Sequence, residues 1–324
     1  MSDAGDPGRR PPSIDPTRIR TVPVAARANK VAASAFAAPP AGDRSFRAFL
    51  AALPDILQAK SFLAVADAVA RAARERRGVL CMLGGHVVKT GLAPLLIRMM
   101  ERGAITHLAS NGSAAIHDWE MARWGGTSED VEAGLADGTF GMAEETGREM
   151  NDAVRDGAGA GKGMGESLAD ALAAHDHAQP DLSLLLAARR LGIGFTVHAA
   201  IGAEITHQHP AADGAALGAA SMTDFRRLAA FLPMIEDGVV LNLGSAVLMP
   251  EVFLKALTVC RNVNDGAPRR FTAADFDMIR HYRPRVNVVE RPTRTGGGTG
   301  YQITGHHEIM VPLLAWAVED RIGA

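Results

Sequence analysis

The amino-acid sequence predicts an α/β protein built on a doubly wound, mostly parallel sheet. Residues 78–120 show the pattern first: an apolar run stops at two glycines, a helical stretch follows, and a second apolar run stops at small polar residues. Two buried strands joined by a crossover helix form a βαβ unit with parallel strands. The same succession of apolar run, small-residue turn and helix recurs along the chain, which is typical of a doubly wound sheet.

The first elements follow from apolar spacing. Helices are predicted from Phe46 and at residues 62–74, ahead of a strand at residues 78–83. Between residues 92 and 99, three leucines and a methionine repeat at i, i+3, i+4 and i+7, which is the spacing of one helix face. A glycine ends that helix, and the second strand is predicted at residues 104–109.

A helical excursion is predicted from about residue 120 to residue 180. Thr127 or Ser128 is predicted to be the N-cap of its first helix, because acidic residues follow in the first turn. The glycine-rich segment at residues 157–165 is predicted to be a mobile surface loop, and a phosphate-binding role is disfavoured because no strand precedes it. Two further helices flank that segment, at residues 141–154 and 166–174.

The sheet resumes after this excursion, and each further apolar run again stops at small residues. The remaining strands are predicted at residues 193–200, 238–243 and 286–289, and the remaining helices at residues 184–191, 225–231, 252–259 and 310–318. We divide the chain into a flexible N-terminal arm, residues 1–40, and a single α/β nucleotide-binding domain, residues 41–324. The arm is rich in proline and arginine and lacks the apolar content of a core.

Composition limits the class of partner. The chain has 324 residues, 47% of them hydrophobic, and a net charge of −2, so it can build a core but lacks the basic surface of a protein that binds nucleic acid or anionic membranes. It contains no apolar run long enough for a transmembrane helix. Cys81 and Cys260 are too few for a disulfide scaffold and suit buried thiols in a reducing compartment. We therefore expect a cytoplasmic protein that acts on a small molecule, without a nucleic-acid or membrane partner.

The strand ends carry the strongest functional signal. Five predicted strands end in glycine, serine or asparagine, and such residues let a ligand approach the backbone while helix N–H groups favour phosphate. The alternative is that glycine only permits the turn. Lys89 is a candidate partner for a phosphate or carboxylate, or else a solvated helix residue. The cofactor-binding candidates are Gly84, Gly85, His86, Thr90, Asn111, Gly112, Ser113, Ala114, Gly202, Gly244, Ser245, Gly297 and Gly298.

Histidines concentrate near the same strand ends and suggest acid–base chemistry. Their near-neutral pKa suits proton transfer, and acidic residues lie close to them in the sequence. An alternative is a divalent metal site formed by Glu204, His207 and His209, although no HExxH helix is present. For any single histidine, a structural role is the other alternative. The catalytic candidates are His207, His117, Asp118, Glu204 and Lys89.

Three segments resemble the deoxyhypusine synthase family. Residues 85–120 resemble its Ser-Asn turn, helix and Thr-Ala-Gly-Gly turn, residues 183–208 resemble the helix and strand before its Thr-Asp-Gly-Ser motif, and residues 238–256 resemble its Leu-Gly-Gly-Gly segment. The resemblance covers residues 45–320. It implies a Rossmann-like sheet, NAD bound at the strand ends, and a homotetramer with sites between subunits.

The polyamine machinery of that family is missing at the matching positions. Gly202 and His207 stand where the family has two aspartates, and Pro250 stands where it has a histidine. No lysine occurs after Lys255, although the family's nucleophilic lysine lies near the C-terminus. Deoxyhypusine synthesis requires an amine nucleophile and carboxylates that pair with a polycation. True deoxyhypusine synthesis is therefore not expected.

The sequence thus predicts a deoxyhypusine synthase-like enzyme, either transferase-like or oxidoreductase-like, that binds NAD and acts on an anionic or neutral small molecule. One alternative is a non-catalytic protein that binds a nucleotide or metabolite on the same scaffold. The other is a metal-dependent enzyme that uses histidine and glutamate ligands.

Overall fold

Six parallel strands form the centre of the protein. The structure is a computed structural model and describes residues 13–323. The strands are β1 Val79–Leu83, β2 His107–Asn111, β3 Gly194–His198, β4 Val239–Leu243, β5 Thr272–Asp277 and β6 Thr299–Thr304. They lie in the order β3-β2-β1-β4-β5-β6, and each neighbouring pair is parallel. This is the strand order of the Rossmann fold. The predicted doubly wound α/β architecture is therefore confirmed.

Helices cover both faces of this sheet. They are α1 Phe46–Ala52, α2 Leu57–Arg74, α3 Gly85–Lys89, α4 Ala93–Glu101, α5 Gly112–Trp124, α6 Val131–Asp137, α7 Glu144–Gly159, α8 Met164–Ala173, α9 Leu184–Leu191, α10 Gly214–Phe231, α11 Leu248–Val263, α12 Arg291–Arg294 and α13 His307–Ile322. Short 3-10 helices lie at Pro16–Arg18, Val24–Ala26, Ala33–Ala35, Pro180–Leu182, Ile205–Gln208 and Leu232–Ile235, and a π-helix lies at Pro284–Glu290.

Alternation along the strands divides the core in two. Cys81 and Leu83 of β1 pack into a cluster with α2, α4, α5, α9 and α13, whereas Leu80 and Met82 pack into a second cluster with α11 and the end of α10. Successive side chains of a strand point to opposite faces, and all four of these side chains are fully buried. A central strand that is buried on both faces has a continuous apolar sequence, and for this reason β1 could be predicted from the sequence.

The strands on either side of the switch point end level with one another. Leu83 at the end of β1 is paired with Ser110 of β2 and with Leu243 of β4. The turns that follow these strands therefore lie at one edge of the sheet, where the chain order reverses between β1 and β4. In open parallel sheets this reversal creates a crevice at the carboxyl ends of the strands.

The fifth strand was predicted at the wrong place. Residues 286–289 belong to the π-helix, and β5 and β6 instead occupy residues 272–277 and 299–304. A short run of valines cannot be distinguished from a buried helical segment by periodicity. The true β5 sequence, TAADFD, contains alanine and aspartate, which strands disfavour, although the sheet buries five of its six residues.

The glycine-rich segment at residues 157–165 is packed at both ends, whereas residues 159–161 are exposed at the surface as predicted. Gly157 still belongs to α7 and Gly165 to α8, and a Cβ on Gly165 would lie 1.8 Å from the carbonyl oxygen of Phe195 in β3. The buried carboxylate of Asp224 accepts the N–H groups of Gly165 and Val197, both at 2.8 Å. The segment therefore fastens α8 and α10 to the edge strand of the sheet.

The N-terminal arm is exposed where the structure describes it. Residues 13–40 form three short 3-10 turns whose side chains are almost all in solvent. Two backbone hydrogen bonds fasten its end to the body, from Ala38 N to Ala52 O and from Asp55 N to Ala35 O. Residues 1–12 of the predicted arm lie outside the described residues, and its flexibility stays a prediction. Within residues 13–323, no helix is long and apolar enough to cross a membrane.

Candidate functional site

The β1 and β4 turns touch at the switch point. Gly84 N donates to Leu243 O at 3.0 Å, and a Cβ on Gly84 would lie 2.2 Å from Gly244 O. Gly244 has a φ of +69°, and a Cβ there would lie 2.8 Å from Cε1 of His307. Both glycines are thus required by contacts within the protein, which is the alternative explanation that the sequence left open.

The β1 and β2 turns meet on the other side of the crevice. A Cβ on Gly85 would lie 2.6 Å from Ser113 Oγ and 3.3 Å from Cδ2 of His117, so α3 packs directly on α5. Asn111 caps α5: its Oδ1 accepts from Ala114 N at 3.3 Å and from Ser113 Oγ at 3.0 Å. The sequence predicted that these two turns share one crevice, and the structure brings them together.

His117 is held by a chain of polar side chains. Its Nδ1 lies 2.7 Å from Thr127 Oγ1, Thr127 donates its hydroxyl to Glu120 at 2.5 Å, and Thr146 donates to the same carboxylate at 3.0 Å. Because the Thr127 proton goes to Glu120, Thr127 accepts from Nδ1–H, which leaves the Nε2 lone pair of His117 as a base. Burial lowers the pKa of His117, and the Lys89 charge lowers it further, so the ring is neutral near pH 7.

Charges of both signs surround His86 in the same crevice. Its ring centroid lies 5.6 Å from that of His307, whose Nε2 donates to Phe276 O at 3.1 Å. Burial lowers the pKa of His86, and the neighbouring His307 and Lys89 lower it further, while Glu308 and Asp277 raise it. Lys89 itself is exposed at the end of α3. The crevice therefore presents a cationic end near Lys89 and an acidic end near Asp277.

Glu204 and His207 lie next to each other beyond the carboxyl end of β2. The Glu204 carboxylate oxygen Oε1 accepts from Gly112 N at 2.8 Å and from Ala200 N at 3.0 Å, and its Oε2 lies 3.3 Å from Nε2 of His207. The Gly202 N–H donates to Nδ1 of His207 at 3.2 Å, which assigns the proton to Nε2. Only 2% of the Glu204 side chain is exposed. Glu204 thus joins the β3–α10 loop to the start of α5, and His207 contacts Gly202 and Glu204 within the loop.

Asp118 lies away from the crevice. Its carboxylate accepts from Ser183 Oγ and Leu184 N at 2.6 Å and from Leu185 N at 3.1 Å, so it caps α9. It is completely buried, and burial raises its pKa to about 6 against these hydrogen bonds. Contrary to the sequence-based expectation, its carboxylate faces α9 and not a ligand.

Four further candidates have local roles or lie elsewhere. The Thr90 hydroxyl donates to His86 O at 2.9 Å at the end of its own helix, and Ser245 Oγ accepts from Met249 N at 3.2 Å. Gly297 and Gly298 precede β6 and therefore lie at the amino edge of the sheet, opposite the crevice. The sequence predicts them at the site because the preceding valine run has the composition of a strand, although it lies in the π-helix.

The residues proposed as metal ligands do not converge. His209 pairs with Glu144 at 3.1 Å, whereas His207 contacts Glu204. Within residues 13–323, no group of three or more His, Cys, Asp or Glu side chains is placed to hold a metal ion. The alternative of a metal centre at Glu204, His207 and His209 is therefore wrong for this structure.

Three residues of the site were not selected from the sequence. Glu120 carried no signal, because an acidic residue on a predicted helix is usually a solvated one. Thr127 was predicted to be an N-cap, but Asp130 caps α6 instead, by accepting from Ala133 N at 3.1 Å. Asp277 was missed together with β5, since its position is informative only once that strand is known to end there.

Comparisons with known proteins place the fold but not the family. No protein-family model matches the chain, and a search of curated proteins finds no significant match. The chain is similar in fold to unliganded AgrE, with a TM-score of 0.52 and 14% identity over 82% of this chain and 34% of that chain. It spans about a third of the length of AgrE.

Two other matched structures have TM-scores below 0.5. AgrE in a ternary complex with ornithine and NAD⁺ gives a TM-score of 0.49 and 15% identity over 81% of this chain and 33% of that chain. A conserved LOR/SDH protein from Methanococcus maripaludis S2 gives a TM-score of 0.49 and 16% identity over 82% of this chain and 72% of that chain. At 14% identity, the likeness to unliganded AgrE shows a shared fold alone. The deoxyhypusine synthase resemblance stays a prediction.

Proposed function

We propose that the protein is an enzyme that binds NAD at the carboxyl edge of its sheet and acts on a small molecule, with His117 as the acid–base group. The observation that carries the proposal is the position of His117. Its oriented, neutral imidazole lies beside the Gly85 turn at the switch point, where open parallel sheets bind their ligands.

The residues of the crevice suit a dinucleotide. Gly85, His86, Asn111 and Ser113 are partly exposed there, and Lys89 supplies positive charge next to them. Lys89 would pair with the phosphates, while Ser113 and the backbone of the β1 turn would hydrogen-bond the cofactor. When bound, NAD supplies hydride transfer. AgrE, which shares the fold, forms a complex with ornithine and NAD⁺, and this agrees with the choice of ligands.

The chain's own residues would manage the proton. With Thr127 accepting from Nδ1–H, the Nε2 of His117 takes a proton from the substrate and the Glu120 carboxylate stabilises the imidazolium that results. With Lys89 paired with the cofactor phosphates, the nearby Asp277 carboxylate would pair with a cationic group of the substrate. This differs from the sequence-based expectation of an anionic or neutral substrate, because Asp277 was not recognised.

Titration calorimetry with NAD tests the proposal. The wild type should bind NAD, and Lys89→Ala should weaken the affinity about 10-fold, the effect of losing one charge-assisted contact near solvent. Lys162→Ala removes the same charge at the opposite edge of the sheet, where Lys162 pairs with Asp170 near the start of β3, and should leave the affinity unchanged. No NAD binding by the wild type, or equal binding by both lysine variants, would contradict the proposal.

Turnover separates an enzyme from a non-catalytic binding protein on the same scaffold. With NAD and a panel of amino acids that includes ornithine, NADH absorbance should rise for the wild type. His117→Gln should lose this turnover while still binding NAD, and binding without turnover by the wild type would favour the non-catalytic alternative.

The deoxyhypusine synthase-like identity is proposed only for the scaffold. Spermidine should give no aminobutyl transfer, because no lysine follows Lys255. We further propose a cytoplasmic homo-oligomer, a tetramer by the family resemblance, which light scattering would detect. Cys81 and Cys260, both buried free thiols, are consistent with a reducing compartment.

A further inference from the structure

A second binding feature lies at the same edge of the sheet, on the face covered by α10 and α11. A cavity of about 260 Å³ opens there at the end of β3. Its walls are mainly apolar and include Ile201, Leu217, Phe225, Leu248 and Val252.

Two polar side chains, those of His198 and Ser221, belong to the lining of this cavity. The His198 ring is 3% exposed, and its Nε2 lies 3.2 Å from Thr196 Oγ1. Ser221 Oγ accepts from Ala199 N at 3.1 Å, so its hydroxyl proton remains available to a ligand. Burial lowers the pKa of His198 to about 4, so the ring is uncharged near pH 7. An apolar slot with two neutral hydrogen-bonding groups suits an uncharged heteroaromatic ring rather than a phosphate or carboxylate.

The cavity lies within reach of the switch point. Its wall residue Leu248 begins α11 only three residues after Ser245 of the β4 turn, a span of at most about 10 Å of chain. Its other wall begins at the end of β3, on the side of the sheet away from β5 and β6. Ile201 and Met222 line the cavity and are 65% and 50% exposed, so a ring in the slot would cover apolar surface that now faces solvent.

We propose that this cavity binds the adenine base of the dinucleotide, with the faces of the base against the apolar walls and its edge hydrogen-bonded to His198 and Ser221. The inference rests on the proposed function, since it locates the adenosine half of the same NAD. It also places the nicotinamide half toward β4, β5 and β6, where His86 and Asp277 lie.

Gly218→Leu tests the cavity directly. Gly218 lines the cavity on the exposed side of α10, and a Cβ there meets no atom within 4 Å, so a leucine fills the slot without a clash in the core. The substitution also favours the helix, and the variant should fold. Gly214→Leu is the matched control, because Gly214 lies on the same helix, has the same open space and does not line the cavity.

Calorimetry with NAD and with AMP gives distinguishable outcomes. Both ligands should bind the wild type and Gly214→Leu alike, and Gly218→Leu should bind both about 100-fold more weakly, as expected when the burial of a ring is lost. Equal NAD affinity in Gly218→Leu and the wild type would overturn the adenine assignment and leave the proposed function standing. AMP binding that is lost in Gly218→Leu, together with no NAD binding by the wild type, would support the adenine site and overturn the proposed NAD enzyme. Binding of neither ligand would overturn both.

Discussion

Replacement of Glu204 decides whether this residue belongs to the chemistry or to the scaffold. The sequence placed Glu204 and His207 among the catalytic candidates, whereas the structure uses them to fasten the β3–α10 loop to the start of α5. If the contact is structural, truncation should lower the stability of the protein. If Glu204 serves a reaction or a metal, truncation should leave stability nearly intact.

The structure sets the expected size of the effect. In Glu204→Ala, the N–H groups of Gly112 and Ala200 lose the buried carboxylate oxygen that accepts them at 2.8 and 3.0 Å. Leaving a buried N–H group without its acceptor costs about 1–3 kcal/mol in the free energy of unfolding, so the loss of both should cost about 2–5 kcal/mol. Glu204→Gln keeps one acceptor oxygen for both N–H groups but turns an amide N–H toward Nε2–H of His207, so we expect a smaller loss of about 1–2 kcal/mol.

Urea unfolding followed by circular dichroism measures this order. Glu308→Ala is the control, because this glutamate lies at the same edge of the sheet with half of its side chain exposed and should change stability by less than about 0.5 kcal/mol. An unfolding midpoint for Glu204→Ala equal to that of the wild type would refute the structural role. A cost of Glu204→Gln as large as that of Glu204→Ala would refute the assignment of both hydrogen bonds to one oxygen.

Three other substitutions test single features of the structure. Burial raises the pKa of Asp118 from 3.8 to about 6, so between these pH values the folded state keeps a proton that the unfolded state loses. The free energy of unfolding should therefore fall by about 3 kcal/mol as the pH rises through this range. In urea unfolding between about pH 4 and pH 7, Asp118→Asn should lack this pH-dependent decrease. Gly165→Ala should destabilise by more than about 3 kcal/mol, because its Cβ would meet a carbonyl of β3, whereas Gly159→Ala, with open space, should be neutral or slightly stabilising in a thermal melt. Thr127→Val should abolish the preference of His117 for the Nδ1–H tautomer in long-range ¹H–¹⁵N spectra, and an unchanged tautomer would remove Thr127 from the site.

The two central strands, β1 and β4, were predictable from the sequence because both of their faces are buried. The strand β1 is a continuous apolar run, and Asn242 alone interrupts that of β4. The two runs stop before Gly84 and Gly244, and each strand was predicted to end where the structure ends it. The strand β5 lacks this signal, because Asp275 and Asp277 interrupt it. Asp275 is accommodated in the sheet because Asn242 of β4 donates to it at 2.8 Å, a partner that only the folded structure supplies.

The sequence predicted which turns lie close together in the site, but it did not predict which way the side chains of α5 point. Parallel strands bring their carboxyl ends together, so the meeting of Gly85 with the start of α5 follows from the fold class. Successive residues of a helix differ by about 100° around its axis. For this reason His117 faces the crevice while Asp118, the next residue, faces α9, and the sequence alone does not fix how α5 is rotated on the sheet.

The contacts of Gly112 limit where the phosphates of a dinucleotide can bind. The Glu204 carboxylate fills the space beside Gly112 and accepts the N–H group at the start of α5. Its negative charge would repel a phosphate from this position. Asn111 is committed to capping the same helix. The phosphates of a dinucleotide are therefore expected on the β1 side, next to the exposed Lys89, with the adenosine half running toward the cavity at the end of β3. Loss of NAD affinity in Lys89→Ala and in Gly218→Leu, together with unchanged affinity in a folded Glu204→Gln variant, is the combination that this arrangement requires.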